Sequence, residues 1–233
     1  KWEFAFEKAE KVKQAYAQML NDRKGSIALA SSSHDLLVRF LSALPLKSRP
    51  KLITSDCEFY SLQRQLKRLG EAGLDVHWVQ AQPPELVAEK VVKLIDCKTA
   101  AVLVSSVFYN SGLRMTHWQA IVAACERVGA QLLIDAYHQI NVVPFDIEAL
   151  GLQQAFILGG GYKYCQFGEG NCFLRIPESC ELRPVITGWF SDIASIEKMQ
   201  ATQKVIYGEG GDRFAGATYD PCSHYRAAAV IDF

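Results

Sequence analysis

The sequence predicts an α/β protein: a three-layer α/β/α sandwich around a mostly parallel, seven-stranded sheet. Two observations carry this. Short apolar runs alternate with stretches of helical period from Ile27 to Leu158, as successive strand–helix–strand units with right-handed crossovers require. The runs also read as buried strands, as in Leu132-Leu133-Ile134 and Val102-Leu103-Val104, so helices cover both faces of the sheet. At 233 residues the chain is long enough for one large domain with a sizeable core.

Each element has its own signal. Phe6, Ala9, Val12, Tyr16, Met19 and Leu20 repeat at helical spacing within Trp2 to Leu20. A turn at Asn21 to Gly25 leads to a strand, Ser26 to Ala30. Ser31-Ser32-Ser33-His34 opens a helix to about Leu44, where Pro45 stops it. A strand at Lys51 to Thr54 and a helix at Asp56 to Leu69 follow, closed by Gly70. Next come a strand at Asp75 to Val79, a helix from Pro83-Pro84 to Ile95 and a strand at Ala100 to Ser105. Thr116 is placed to cap a helix that ends at Val128 and Gly129. The strands Gln131 to Ile134 and Ala155 to Leu158 come next, with weaker ones at Asn171 to Arg175 and Lys204 to Ile206. A last helix starts after Pro221 and Ser223 and shows no stop signal. The first helix is likewise under way at Trp2, which predicts residues 1–233 to be one large domain cut from a longer chain, its small carboxyl-terminal domain outside.

Composition narrows the function. Lys plus Arg and Asp plus Glu number 25 each, for zero formal net charge. That gives no electrostatic case for nucleic acid or an anionic membrane as partner. No apolar run reaches membrane-spanning length. Seven scattered cysteines without a CxxC pair read as reduced thiols in a cytoplasmic protein. Cys125, Cys172 and Cys165 read as packing residues.

The chemistry concentrates in Gln131 to Gly170. One strand ends at Asp135, with His138 three residues on. The next runs into Gly159-Gly160-Gly161 and then Tyr162-Lys163-Tyr164. Parallel neighbours deliver a carboxylate, an imidazole and an amine to their carboxyl ends, where open α/β sheets bind ligands. An Asp for a pyridine nitrogen and a Lys for a Schiff base are the pairing that pyridoxal 5′-phosphate (PLP) needs. The lysine must be deprotonated to form an imine, so its surroundings must lower its pKa. The serines and His34 at a helix start offer a phosphate cradle, with N-capping by Ser33 as the compatible structural role. Phe59, next to a helix start, can lie on a flat ring. Asn110, on the loop after the Ala100 to Ser105 strand, can reach a cofactor oxygen. The glycine run is not a dinucleotide fingerprint, since no helix follows it at once. No His/Cys cluster has metal-ligand spacing, and no carboxylate pair suits hydrolase work.

In this order the pieces resemble the class V branch of the fold-type I PLP enzymes, and kynureninase-like proteins within it. The resemblance rests on Asp135-Ala136-Tyr137-His138, similar to the family's Asp-x-x-His, and on Tyr162-Lys163-Tyr164, similar to its Tyr-Lys-Tyr. Gly168-Glu169-Gly170 and Gly188-Trp189-Phe190 add to it. It implies Lys163 as Schiff-base lysine, Asp135 on the pyridine nitrogen, His138 beside the ring and Phe59 stacked on it. It implies phosphate contacts from Tyr162, Ser32 and Ser33, and a homodimer in which Trp189 and Thr218 approach the neighbouring subunit's cofactor. The implied substrate is an amino acid, undergoing C–C bond hydrolysis or amino-group transfer. The sequence departs from kynureninase at Phe108-Tyr109-Asn110-Ser111-Gly112 and at Thr218-Tyr219-Asp220-Pro221. Arg213 to Thr218 resembles the cysteine desulfurase and epimerase branch equally well, so a PLP lyase is the alternative. A non-catalytic protein that keeps the fold is a further one, against which Asp135 and Lys163 both stand.

Overall fold

The computed structural model describes residues 2–195 and 204–233. Seven strands form one sheet: β1 (Ser26–Ala30), β2 (Lys51–Ser55), β3 (Asp75–Val79), β4 (Thr99–Ser105), β5 (Gln131–Asp135), β6 (Phe156–Gly160) and β7 (Cys172–Ile176). Their order is β1-β7-β6-β5-β4-β2-β3. The run from β3 to β6 is parallel, and β7 is antiparallel to both β6 and β1. The predicted mostly parallel sheet is therefore present. Lys204 to Ile206 is not a strand; it adds no rung to the seven-stranded sheet, whose edges are β1 and β3.

Helices α1 (Trp2–Met19), α4 (Val87–Leu94), α5 (Trp118–Val128) and α7 (Cys222–Asp232) cover one face. Helices α2 (Ser33–Ala43) and α3 (Tyr60–Glu71) cover the other. A short α6 (Ile147–Leu150), unmarked in the sequence reading, is capped by the Asp146 side chain, which accepts from the Ala149 amide at 2.8 Å. β2, β4, β6 and β7 are buried throughout. Each large apolar side chain so buried contributes about 1.5–3 kcal/mol. β3 lies at the edge and is mostly half-buried.

Several boundaries move for local reasons. Helix α3 starts at Tyr60, because Phe59 has extended backbone and Glu58 is bound to the sheet instead. Thr116 does not cap α5; His117 does so in the left-handed region (φ 62°), without a side-chain hydrogen bond. Gly129 ends the helix in that same region, as expected. Ser32, not Ser33, caps α2: its Oγ accepts from the Asp35 amide at 3.1 Å. Phe6 is partly exposed rather than in the core; it meets Trp2 and Phe190 at the surface.

All seven cysteines are free thiols, and Cys125, Cys165 and Cys172 are buried. The antiparallel β7 is pinned by Arg175. Its guanidinium donates to Asp22 Oδ2 at 2.6 Å and to the carbonyls of Gln153 and Ala155, with almost no exposure.

Candidate active site

The site forms where β4, β5 and β6 end. Register pairs Ser105 with Asp135 and Asp135 with Leu158, so the Asp135 carboxyl sits at the centre of the carboxyl edge. It is 8% exposed. Burial pushes it up to about 6, while the Tyr137 amide, donating at 2.9 Å, and the Lys163 charge pull it back. After β6 the chain turns through Gly161 and presents Lys163. Its Nζ lies 2.5 Å from His138 Nε2, 4.9 Å from the Phe59 ring centre and 5.4 Å from that of Tyr137. Partial burial lowers the Lys163 pKa, and Asp135 opposes that. His138 is pushed down to about 4, first by burial and then by Lys163. At neutral pH its Nε2 therefore accepts from the Lys163 ammonium, or Lys163 as free amine accepts from it.

These groups line a cleft of about 260 Å³ together with Ser33, Leu37, Ser61, Leu62 and Tyr162. Ser33, Phe59, Asp135, His138, Tyr162 and Lys163 are thus gathered in one place. Ser32 stands beside them at the cap of α2, whose positive dipole end faces this edge. His34 is exposed and does not line the cleft; on the first turn of α2 its side chain points outward. Asn110 does not line it either. Its amide donates to Cys57 Sγ at 3.3 Å, and its neighbour Tyr109 takes the place beside Phe59 and His138, at ring distances of 5.5 and 6.3 Å. Trp189 and Thr218 lie apart from the cleft and bind each other, indole nitrogen to hydroxyl at 3.2 Å.

Two participants escaped the sequence reading. Tyr137 fills the floor beside Lys163, its hydroxyl against the Cys172 thiol and its ring against Gly160. A Cβ on Gly160 would come within 2.6 Å of that ring, and one on Gly159 within 2.6 Å of Phe173. The glycine run is therefore space for aromatic rings, a signal legible only with Tyr137 and Phe173 in place. Glu58 is the other: it is fully buried beneath the cleft. Its position one residue before an aromatic was visible, but its burial was not.

The arrangement fits a flat, anionic, electrophilic cofactor. Asp135 has one protein donor and no ion-pair partner among the described residues, so an acceptor is left for a protonated ring nitrogen. An amine, an aromatic face and a helix start surround it at cofactor scale.

Comparisons with known proteins agree in fold. The chain is 23% identical to the "uncharacterized aminotransferase YcbU" of Bacillus subtilis (strain 168), over 99% of its own length and 60% of that protein. The cystine C–S lyase C-DES, solved in complex with cysteine persulfide, superimposes with a TM-score of 0.78 at 19% identity, over 99% of this chain and 61% of that one. A further structure of C-DES holds glycine covalently linked to its PLP cofactor. The apo cysteine desulfurase of Thermococcus onnurineus NA1 gives 0.71 at 18% identity, over 99% of this chain and 57% of that one. The chain thus spans about 60% of the length of the relatives it matches. The model of the class-V aminotransferases matches residues 3–165, well over half of the sequence, and the chain belongs to that PLP-dependent family.

Proposed function

We propose that this chain forms the cofactor-binding part of a PLP-dependent enzyme that acts on an amino acid. The observation that carries the reading is the Lys163 amine held against neutral His138 above the buried carboxyl of Asp135. In this reading Lys163 takes the aldehyde end of PLP, Asp135 the ring nitrogen, Phe59 one ring face, and Ser32, Ser33 and Tyr162 the phosphate. Bound PLP supplies an electron sink for charge that develops at the substrate's α-carbon.

The chain's own groups do the rest. Burial favours the uncharged amine of Lys163, which makes its Nζ both a nucleophile and a proton acceptor. His138 Nε2 orients that amine and, being neutral, places no competing cation beside it. The carboxylate of Asp135 stabilises positive charge at the ring nitrogen. Phe59, Leu37 and Leu62 keep water from that side of the cleft.

For the reaction we favour hydrolysis of a C–C bond in an aromatic β-acyl amino acid, as in kynureninase-like proteins, with amino-group transfer next. The support is aromatic: Tyr109, Tyr60, Phe59 and His138 form one cluster at the cleft's mouth, with neighbouring rings 5.4 to 5.8 Å apart. Cleavage at sulfur is the second reading, favoured by the likeness to a cystine C–S lyase and a cysteine desulfurase. A homodimer belongs to the proposal, with Trp189 and Thr218 directed to the neighbouring subunit; so does a cytoplasmic location. No helix among the described residues is long and apolar enough to cross a membrane.

The test is the absorbance spectrum of the full-length protein before and after borohydride, with peptide mapping and turnover of kynurenines, alanine and cysteine. A PLP label on Lys163 with turnover of kynurenine supports the first reading. Sulfide or persulfide release from cysteine or cystine moves it to the second. No label after added PLP overturns both and leaves a non-catalytic protein on the same fold.

A further inference from the structure

Glu58 is a buried carboxyl with no task in the scheme above. It follows β2 on the loop to α3 and is fully enclosed. Ser105 donates to it twice, from Oγ to Oε2 at 2.5 Å and from its amide to Oε1 at 3.2 Å. The Ser55 hydroxyl contacts Oε1. All three partners are neutral, and either serine hydroxyl can turn to accept from Glu58 when the carboxyl carries its proton. A lone ionised carboxylate held by neutral groups in such a place is costly, so a proton is the economical counter-charge.

The ionisable neighbours come from the same loop and from β5. Asp56, next in the chain, accepts from the Ala81 amide at 2.8 Å. Cys57 faces Asn110. From β2 and β4 come the two serines. From β5 comes Asp135, the register partner of Ser105. Lys163 acts on Asp135, and Lys163 in turn meets His138. Two carboxyls therefore share the floor of the cleft, one lining it and one beneath it. Burial first, and Asp135 as a like charge, push Glu58 up to about 7 against the hydrogen bonds of the serines. The repulsion falls on the group without access to a cation.

We infer that Glu58 is a positioning residue for Asp135: it keeps the proton of the pair, so that Asp135 carries the floor's negative charge and faces the cofactor nitrogen. The inference rests on the assignment of Asp135 to that nitrogen. Its consequence is a pH response seated one layer below the site. Once Glu58 ionises, a second negative charge lies behind Asp135 and would hold the proton of a bound ring nitrogen to higher pH.

The linkage can be read without cofactor. Glu58 in the folded protein has a pKa raised from 4.5 to about 7. Its stabilising share is thus complete below about 4.5 and is lost as pH rises through 7. In full-length, PLP-free protein, the melting temperature of Glu58→Gln relative to the parent should climb as pH goes from 4.5 to 7.5. In Asp135→Asn the same loss should move to lower pH, because the like charge is gone. A second arm titrates the absorbance of the PLP-loaded proteins: the parent should show an inflection near pH 7 that Glu58→Gln lacks. A parallel pH dependence of parent and Glu58→Gln in both arms overturns the inference, as does a midpoint that Asp135→Asn leaves in place. If Glu58→Gln does not fold, the parent and Asp135→Asn comparison decides alone. Failure of PLP to bind the parent overturns the cofactor reading instead, and the melting arm still reports the carboxyl pair.

Discussion

Two openings on this molecule differ in almost every respect. The larger, of about 970 Å³, lies between α1, β1 and the 207–219 segment; Lys13, Arg39, Asp212 and Thr218 are among its walls. The smaller, of about 260 Å³, holds Asp135, His138 and Lys163. Size favours the first. Chemistry favours the second, because there an amine, a neutral imidazole and a buried carboxyl come together, and the amine shifts the protonation of both. In the larger opening Lys13 pairs with Asp212 and Arg39 donates to the Phe214 carbonyl, and the aromatic, amine and imidazole combination of the smaller one is missing among its walls. The contrast teaches that convergence of groups of opposite tendency locates a site better than volume does.

That contrast can be broken experimentally. Lys163→Ala should give the largest effect, abolishing the PLP absorbance band and lowering turnover by about 10³-fold or more, since the covalent step and a proton acceptor vanish together. Asp135→Asn should follow, with PLP still bound but turnover reduced about 10²-fold, read by steady-state kinetics on the loaded enzyme. Gly160→Ala forces a methyl group into the Tyr137 ring. It should cost about 1–3 kcal/mol in urea denaturation.

A pH prediction has the opposite sign to that for Glu58. His224 is buried between Asn171 and Tyr219, and burial pushes it down to about 4 from 6.5. Its stabilising share is complete above about 6.5 and is lost as pH falls through 4. The parent should therefore lose on the order of 1 kcal/mol relative to His224→Gln across that window, by thermal melts. Lys13→Ala, in the larger opening, should change PLP affinity by no more than about twofold, in keeping with the small worth of exposed ion pairs. A large loss there would return the bigger opening to consideration.

Most of the sheet and half of the cleft were readable from residues in order. Asp135 and Lys163 announce themselves because a strand end fixes where each must emerge, and β5 and β6 are adjacent. The hydroxyl-rich start of α2 was legible for the same reason. What stayed hidden depends on side-chain direction. Asn110 has the right chemistry and the right loop, yet Tyr109 is the residue that turns towards His138. Glu58 is enclosed by two serines from different strands, which no local pattern around it signals. The glycine run, no dinucleotide fingerprint, kept its purpose hidden because the rings it accommodates, Tyr137 and Phe173, lie on either side of it in the sequence. Tertiary partners, not local pattern, decide such residues.

The place of β7 has a consequence for synthesis. Among the described residues β1 is paired only with β7, Ser26 opposite Ile176 and Ala30 opposite Cys172. At about 5–20 residues per second, a ribosome needs on the order of ten seconds to deliver the partner. Until then the nascent β1 has no ladder to join, and its backbone groups are open to any passing strand. The burial of Arg175 against Asp22 closes that interval: it is the latch that an emerging chain can set only once six strands are already made.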